Sequence, residues 1–247
     1  MQHEVAGHPI LRVMCGRYVS PDEASIEREF LLVRHEWDFP ASYNVAPTQP
    51  VPVVWIAADG ARLGSLMTFG LIPYFAMGVP PKYSTINATI ERLAEAATWR
   101  GPWSRRQRCI VPALGFYEWQ LQADGKTKQP YYITAPDQPL LGFAGLWDRS
   151  RRADGSYVES CAIITLPANP FMAEIHNVKQ RMPAILPRDA RDTWLTGSIE
   201  EAYAVLKPYD LLAAHPVSNR VNSPKNNDAG LIEPLAANVS KAGLRLL

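Results

Sequence analysis

Short runs of β-branched and aromatic residues, cut off by turn-forming residues, dominate the hydrophobic pattern of the chain. Residues 16–20 (GRYVS) and 51–57 (VPVVWIA) are such runs and predict strands. Between them, Ser20-Pro21-Asp22-Glu23 supplies a cap, a first-turn proline and acidic side chains. Ile26, Phe30 and Leu31 follow at helical spacing, so a helix is predicted over 21–33. Asp59-Gly60, Asp124-Gly125 and Asp154-Gly155 each join two strand-like runs: VPVVWIA to RLGSLMTFGLI, FYEWQL to KQPYYIT, and GLWDRS to YVESCAIIT. Asp-Gly suits the positive φ angles of a tight hairpin, so these turns predict an antiparallel sheet. Helices are expected at about 90–97, 169–175, 187–195 and 199–206. The class is α+β, with a single domain from about residue 14 to 235. A leader, residues 1–13, and a tail, residues 236–247, flank it.

Composition narrows the class further. With 47% hydrophobic and 20% charged residues in 247, the chain matches globular averages. No apolar run approaches the roughly 18 residues that a membrane span needs. Twenty-two prolines against 15 glycines disfavour a helical bundle. Twenty-five basic against 24 acidic residues give a net charge of +1, so any nucleic-acid surface must be made by placement. Cys15, Cys109 and Cys161 are odd in number and form no CxxC pair. They suggest neither a disulfide framework nor a metal site, no cofactor is called for, and a reducing cytoplasm fits best.

Several residues admit both a structural and a chemical reading. Cys15, in Met14-Cys15-Gly16-Arg17-Tyr18, is either a small core hydrophobe or, once Met14 is removed, a 1,2-aminothiol. In the second case the amine, with an ordinary pKa of about 7.7–8.0, condenses with an aldehyde and the thiol closes a five-membered thiazolidine. Glu118, between Tyr117 and Trp119, is either a solvated strand residue or a pocket carboxylate whose pKa apolar neighbours would raise. His176 is either structural or a proton carrier, and Asn87 either caps a turn or donates to a ligand oxygen. Residues 99–108 hold four arginines and two tryptophans with no acid. They read as a solvated helix face or as a groove for single-stranded nucleic acid, with arginine for phosphates and tryptophan for bases. The loop Asn44-Val45-Ala46-Pro47-Thr48-Gln49-Pro50 is a turn or a presenter of backbone amides.

In this order the fragments resemble the SRAP family of SOS response-associated peptidases, or abasic-site-processing proteins. The matching pieces are Met14–Tyr18, Asn44 with Ala46-Pro47-Thr48-Gln49, Gly70-Leu71-Ile72-Pro73, Asn87-Ala88, Arg108-Cys109 with Val111-Pro112, Gly115–Trp119, Phe143–Trp147, and Ile175-His176 with Arg181-Met182-Pro183. The resemblance implies an α+β domain with an antiparallel, barrel-like sheet, flanking short helices and a basic cleft for single-stranded DNA. It implies that Cys15, freed at its amine, forms a thiazolidine with the open-chain aldehyde of an abasic site. Asn87 then contacts the opened sugar or orients the reacting amine, and Glu118 and His176 move protons. Arg17, Arg100, Arg105, Arg106 and Arg108 are expected at phosphates, Trp119 at the pocket wall and Phe69 under bases. A monomer suits a one-strand cleft.

The chain departs from the family pattern at Thr89, where arginine is usual, at Phe69, where tryptophan is common, and between His176 and Arg181. Residues 1–13 would tie up the amine of Cys15. They are open to three readings: a misassigned start, a propeptide removed by self-cleavage, or a genuine tail. Two other functions stay open beside cross-linking. One is a thiol peptidase using Cys15 and His176, and the other is a noncovalent single-strand binder in which Cys15 is inert.

Overall fold

The computed structural model describes residues 15–235, so the leader and the tail lie outside the described residues. In chain order the elements are β1 (Tyr18–Val19), α1 (Glu23–Phe30), β2 (Arg34–Glu36), β3 (Pro50–Ile56), β4 (Arg62–Phe69), β5 (Asn87–Thr89) and α2 (Ala97–Ser104). Then come β6 (Arg108–Ala113), β7 (Gly115–Leu121), β8 (Lys128–Thr134), β9 (Leu141–Arg151) and β10 (Tyr157–Pro167). The last are α3 (Pro170–Ile175), β11 (Arg181–Pro183), α4 (Arg191–Thr196), α5 (Ile199–Ala204) and β12 (Ala213–Pro216).

Strands β4, β3, β6, β9 and β10 pair antiparallel in that order, and β10 then meets β4 in parallel, Cys161 beside Phe69. The result is a closed five-stranded barrel in an α+β fold. The expected antiparallel barrel is therefore found with one parallel seam. Closure removes the unpaired edges that an open sheet would expose. Strand β10 is long enough to pair with β5 and β11 beyond the seam. A second antiparallel sheet, β1-β7-β8-β12, packs against the barrel and sends Tyr18 into it. The Tyr18 ring stands edge-on to Phe69 and Phe143, with centroids 5.9 and 6.1 Å away.

All three Asp-Gly hairpins form, with Gly60, Gly125 and Gly155 at φ of 82, 67 and 86°. Helix α1 is shorter than the 21–33 expected. Asp22, rather than Ser20, caps it by accepting from the Ser25 amide, and Leu31 ends it in a left-handed conformation. The helix expected at 90–97 is a 3-10 turn, Ile90–Arg92, followed by α2. The other three expected helices are α3, a 3-10 turn running into α4, and α5.

Candidate functional site

Two long-range pairings assemble the site. Strand β1 pairs with β7, and the amide of Tyr117 donates to the Arg17 carbonyl, which brings the chain before Tyr18 alongside Glu118. Helix α3, capped by Asn169 through the Met172 amide, packs on β7 and ends at His176. Cys15, Glu118 and His176 therefore meet, although 161 positions separate the first from the last in the chain.

The contacts are specific. The backbone N–H of Cys15 donates to Glu118 Oε1 at 2.6 Å, and the thiol faces the same carboxylate. His176 Nε2 lies 3.8 Å from Glu118 Oε2. His176 Nδ1 is 2.9 Å from the Arg181 carbonyl oxygen and 3.4 Å from the Arg181 amide nitrogen; the shorter contact favours a proton on Nδ1, with Nε2 toward Glu118. All three residues are buried, at 5, 2 and 7% exposure for Cys15, Glu118 and His176. Burial pushes the Glu118 carboxyl above the usual carboxylate range, opposed by His176 and by the hydrogen bonds from Cys15. It pushes the Cys15 thiol up as well, and the facing Glu118 adds to this, while Arg181 and Lys179 pull the other way. The site can thus pass one proton among a thiol, a backbone or terminal nitrogen, a carboxyl and an imidazole.

Other expected residues fall into three groups. Asn87 lies on β5 beside Ile163 of β10, and its Nδ2 is buried without a hydrogen-bond partner among the described residues. Trp119 is half-buried at the end of the second, smaller core and donates Nε1–H to Asn222 at 2.7 Å. Arg17, also half-buried, donates to Asn44 Oδ1 and the Val221 carbonyl. The Asn44 amide group in turn donates to the carbonyls of Val221, Ser223 and Asn226. Arg17 and Asn44 thereby fasten residues 219–226 beside the site, so the loop at Asn44 is a structural organiser.

The structure corrects the second group. Phe69 is fully buried in the barrel against Tyr18, where no base can stack on it. Arg108 is 3% exposed and donates to the carbonyls of Gly197 and Ser198 after α4, so it is a structural cation, not a phosphate contact. Trp99 and Trp103, read as base-stacking residues, are buried core side chains. Strand β6 is buried along its whole length, which overrides the polar reading of its first residue.

The third group is exposed but apart from Cys15. Arg100 and Arg106 are exposed, and Arg105 pairs with the buried Asp148 at 3.0 Å and lies over the Tyr74 ring. None of these three bonds to Cys15, Glu118 or His176 among the described residues. Sequence reasoning did not single out Tyr74 and Phe75, which are 57 and 51% exposed and stand edge to face at 5.4 Å. Nor did it single out Arg181, which pairs with Glu91 and bears on the Cys15 thiol. The signal for Arg181 lay within the quoted Arg181-Met182-Pro183 motif, whereas nothing in the sequence marks the tyrosine and phenylalanine as exposed.

A family model described as SOS response associated peptidase (SRAP) matches residues 14–224. The chain belongs to the SRAP family. Among relatives, the abasic site processing protein YoqW of Bacillus subtilis is 38% identical over 228 residues, covering 89% of this chain and 99% of its own. The abasic site processing protein HMCES of Rattus norvegicus is 30% identical over 238 residues, covering 81% of this chain and 67% of its own. A crystal structure of a Bordetella bronchiseptica protein superposes with a TM-score of 0.72 at 28% identity, covering 83% of this chain and all of that one. In this SRAP chain, Cys109 and Cys161 are buried core thiols. Among the described residues no helix is long and apolar enough to cross a membrane, and no cluster of three or more potential metal ligands occurs.

Proposed function

We propose that this SRAP-family protein processes abasic sites in single-stranded DNA by forming a thiazolidine between Cys15 and the ring-opened sugar. The observation that carries the reading is the bond from the Cys15 nitrogen to the buried Glu118. One carboxyl holds the nitrogen that the ring needs and faces its sulfur.

With the amine of Cys15 free, its nitrogen adds to the C1′ aldehyde carbon. Glu118, whose carboxyl burial pushes above the usual carboxylate range, gives a proton to the carbinolamine hydroxyl, which leaves as water. The thiol then adds to the imine carbon, returning a proton to Glu118 and closing the ring. His176, with Nε2 toward Glu118, is placed to take up or supply the proton between these steps. An imine alone invites β-elimination and strand breakage, so sulfur capture turns a breakable intermediate into a shield. The unpartnered Nδ2 of Asn87 is a donor suited to a sugar oxygen. Tyr74 and Phe75, with Arg105 beside them, are the stacking and phosphate surface that replaces Phe69, Trp99 and Trp103, with Arg181 a further phosphate contact nearer Cys15.

The test uses protein beginning at Cys15, verified by intact mass, incubated with a glycosylase-treated uracil-containing single strand and run on a denaturing gel. A cross-linked band abolished by Cys15→Ser is expected. Its absence, or its survival in Cys15→Ser, overturns the proposal.

The peptidase reading is favoured by one separate observation. Cys15 has a positive φ of 39°, unusual for a residue other than glycine, while its peptide N–H bonds to Glu118. Attack of the thiol on the preceding carbonyl, with Glu118 protonating the departing nitrogen and water then hydrolysing the thioester, would free the amine that the ring requires. Loss of residues 1–14 from purified protein, blocked by Cys15→Ala, is the expected result. Retention of these residues in unsubstituted protein refutes it.

A further inference from the structure

The arginine nearest in effect to Cys15 is already occupied. Arg181 Nη1 donates to Glu91 Oε1 at 2.7 Å and Nη2 to Glu91 Oε2 at 3.1 Å, a two-point grip of guanidinium on carboxylate. Its inner side is fixed by the Thr165 carbonyl, 2.6 Å from Nη2. The Arg181 side chain is 15% exposed, but that of Glu91 is 51% exposed, so the acid is the partner that can leave into water. The arginine holds the Glu91 carboxyl below the usual carboxylate range, so the pair is complete at neutral pH.

Glu91 also stands at a telling place in the chain. It follows β5, four residues after Asn87 and two after Thr89, on the 3-10 turn Ile90–Arg92. Thr89 is in register with Thr165, the residue whose carbonyl anchors Arg181. Thr89 carries no charge, and the guanidinium of Arg181 is held at this row of β5 and β10 by its bond to the Thr165 carbonyl. A carboxylate on an arginine fork reproduces the planar two-point pattern by which arginine holds a phosphate.

We propose that Glu91 is a built-in phosphate stand-in, occupying on Arg181 the place that a backbone phosphate of the bound strand takes. Strand binding exchanges one anion for another: the phosphate arrives on Nη1 and Nη2, and Glu91 swings out. Glu91 thus sets a threshold that disfavours loose occupation by nucleic acid and yields when other contacts hold the strand. The inference rests on the reading of the Cys15 site as a single-strand site. It concerns the affinity and salt response of the strand, not the covalent step.

The test measures binding of the full chain to an undamaged, fluorescently labelled single strand by anisotropy across salt concentrations. Glu91→Gln keeps the shape and removes the charge. It is expected to tighten binding by about 2- to 5-fold at low salt, the upper part of the range for one half-exposed ion pair. In both proteins Arg181 ends on the same phosphate and releases the same condensed cation, so the slope of log affinity against log salt should differ by less than the about 0.7 that one single-strand phosphate contact contributes. Steepening by a full contact in Glu91→Gln would mean that Glu91 is never displaced in the unsubstituted protein, and overturns the exchange.

Glu95→Gln, a nearby exposed acid, is the charge-matched control and is expected to change affinity less than twofold. In an Arg181→Gln background, and in Arg181→Lys should that variant fold better, the gain from Glu91→Gln should shrink by at least half. Equal or larger gains in both backgrounds, equal gains from Glu95→Gln, or no gain from Glu91→Gln overturns the proposal. Cross-linking to an abasic strand is run in parallel. Its failure would reject the Cys15 reading while the affinities still decide the role of Glu91.

Discussion

Replacing Glu118 by glutamine separates proton transfer from shape. The two side chains are isosteric. In Glu118→Gln the amide oxygen can still accept from the Cys15 nitrogen, which lies 2.6 Å from Oε1 of the native carboxylate, and the amide nitrogen can donate toward His176 Nε2. What disappears is the ability to give and take a proton. General acid–base assistance is worth about 10²- to 10⁴-fold, or about 3–5 kcal/mol of barrier. Cross-linking by Glu118→Gln should therefore slow by at least about 100-fold in a quenched time course on an abasic single strand, with affinity for undamaged strand unchanged.

A second readout follows from the direction of the Glu118 shift. Its folded-state pKa is raised by burial, so its stabilising contribution is complete below the ordinary carboxylate value of about 4.3 and is lost as pH rises through the raised one. The glutamine variant has no such loss, so its melting temperature relative to that of the unsubstituted protein should rise from acid toward neutral pH, a margin that widens with pH. A rate within threefold of the unsubstituted protein, or a margin that narrows with pH, refutes the reasoning.

Other substitutions test other levels of the structure. Arg108→Ala leaves the Gly197 and Ser198 carbonyls without their buried donor and should cost about 3–5 kcal/mol in urea unfolding, with strand affinity of the folded protein unaltered. Gly145→Ala would place a Cβ 2.9 Å from both the Ala162 carbonyl oxygen and Cys109 Sγ inside the barrel, so a loss of about 1–3 kcal/mol is expected in the same assay. Tyr74→Ala with Phe75→Ala should weaken single-strand binding at least 10-fold, since stacking contributes about 1–3 kcal/mol per base, while melting stays within two degrees because both rings are exposed.

The parts of this fold that could be read from the chain are those set by local conformation. Gly60, Gly125 and Gly155 occupy backbone angles that L side chains avoid, and an Asp-Gly pair between apolar runs announces that need directly. Barrel closure was not written locally, because the β4–β10 seam joins Phe69 to Cys161, 92 positions apart in the chain. Burial misled in the same region: Phe69, Trp99, Trp103 and Arg108 have the right chemistry for a strand of DNA, but they spend it on the core. Helix α2 was misplaced because the 3-10 turn at Ile90–Arg92 delays its start to Ala97.

The site shows the same division. The meeting of Cys15 and Glu118 spans 103 residues and was legible only through the ordered SRAP motifs, since no spacing rule brings such distant positions together. Phe69, where tryptophan is common in the family, illustrates the limit of carrying roles over by motif: the position matches, but its side chain is wholly interior.

The central claim concerns two atoms of one residue, and mass spectrometry of the purified cross-link reads both. After nuclease and protease digestion, the peptide beginning at Cys15 should carry the sugar remnant with the loss of one water. Its sulfur should resist thiol alkylation, and its nitrogen should take one methyl and not two on reductive methylation, because ring closure leaves a thioether and a secondary amine. A sugar remnant on a lysine, or a Cys15 sulfur that alkylates while the adduct remains, would contradict the account.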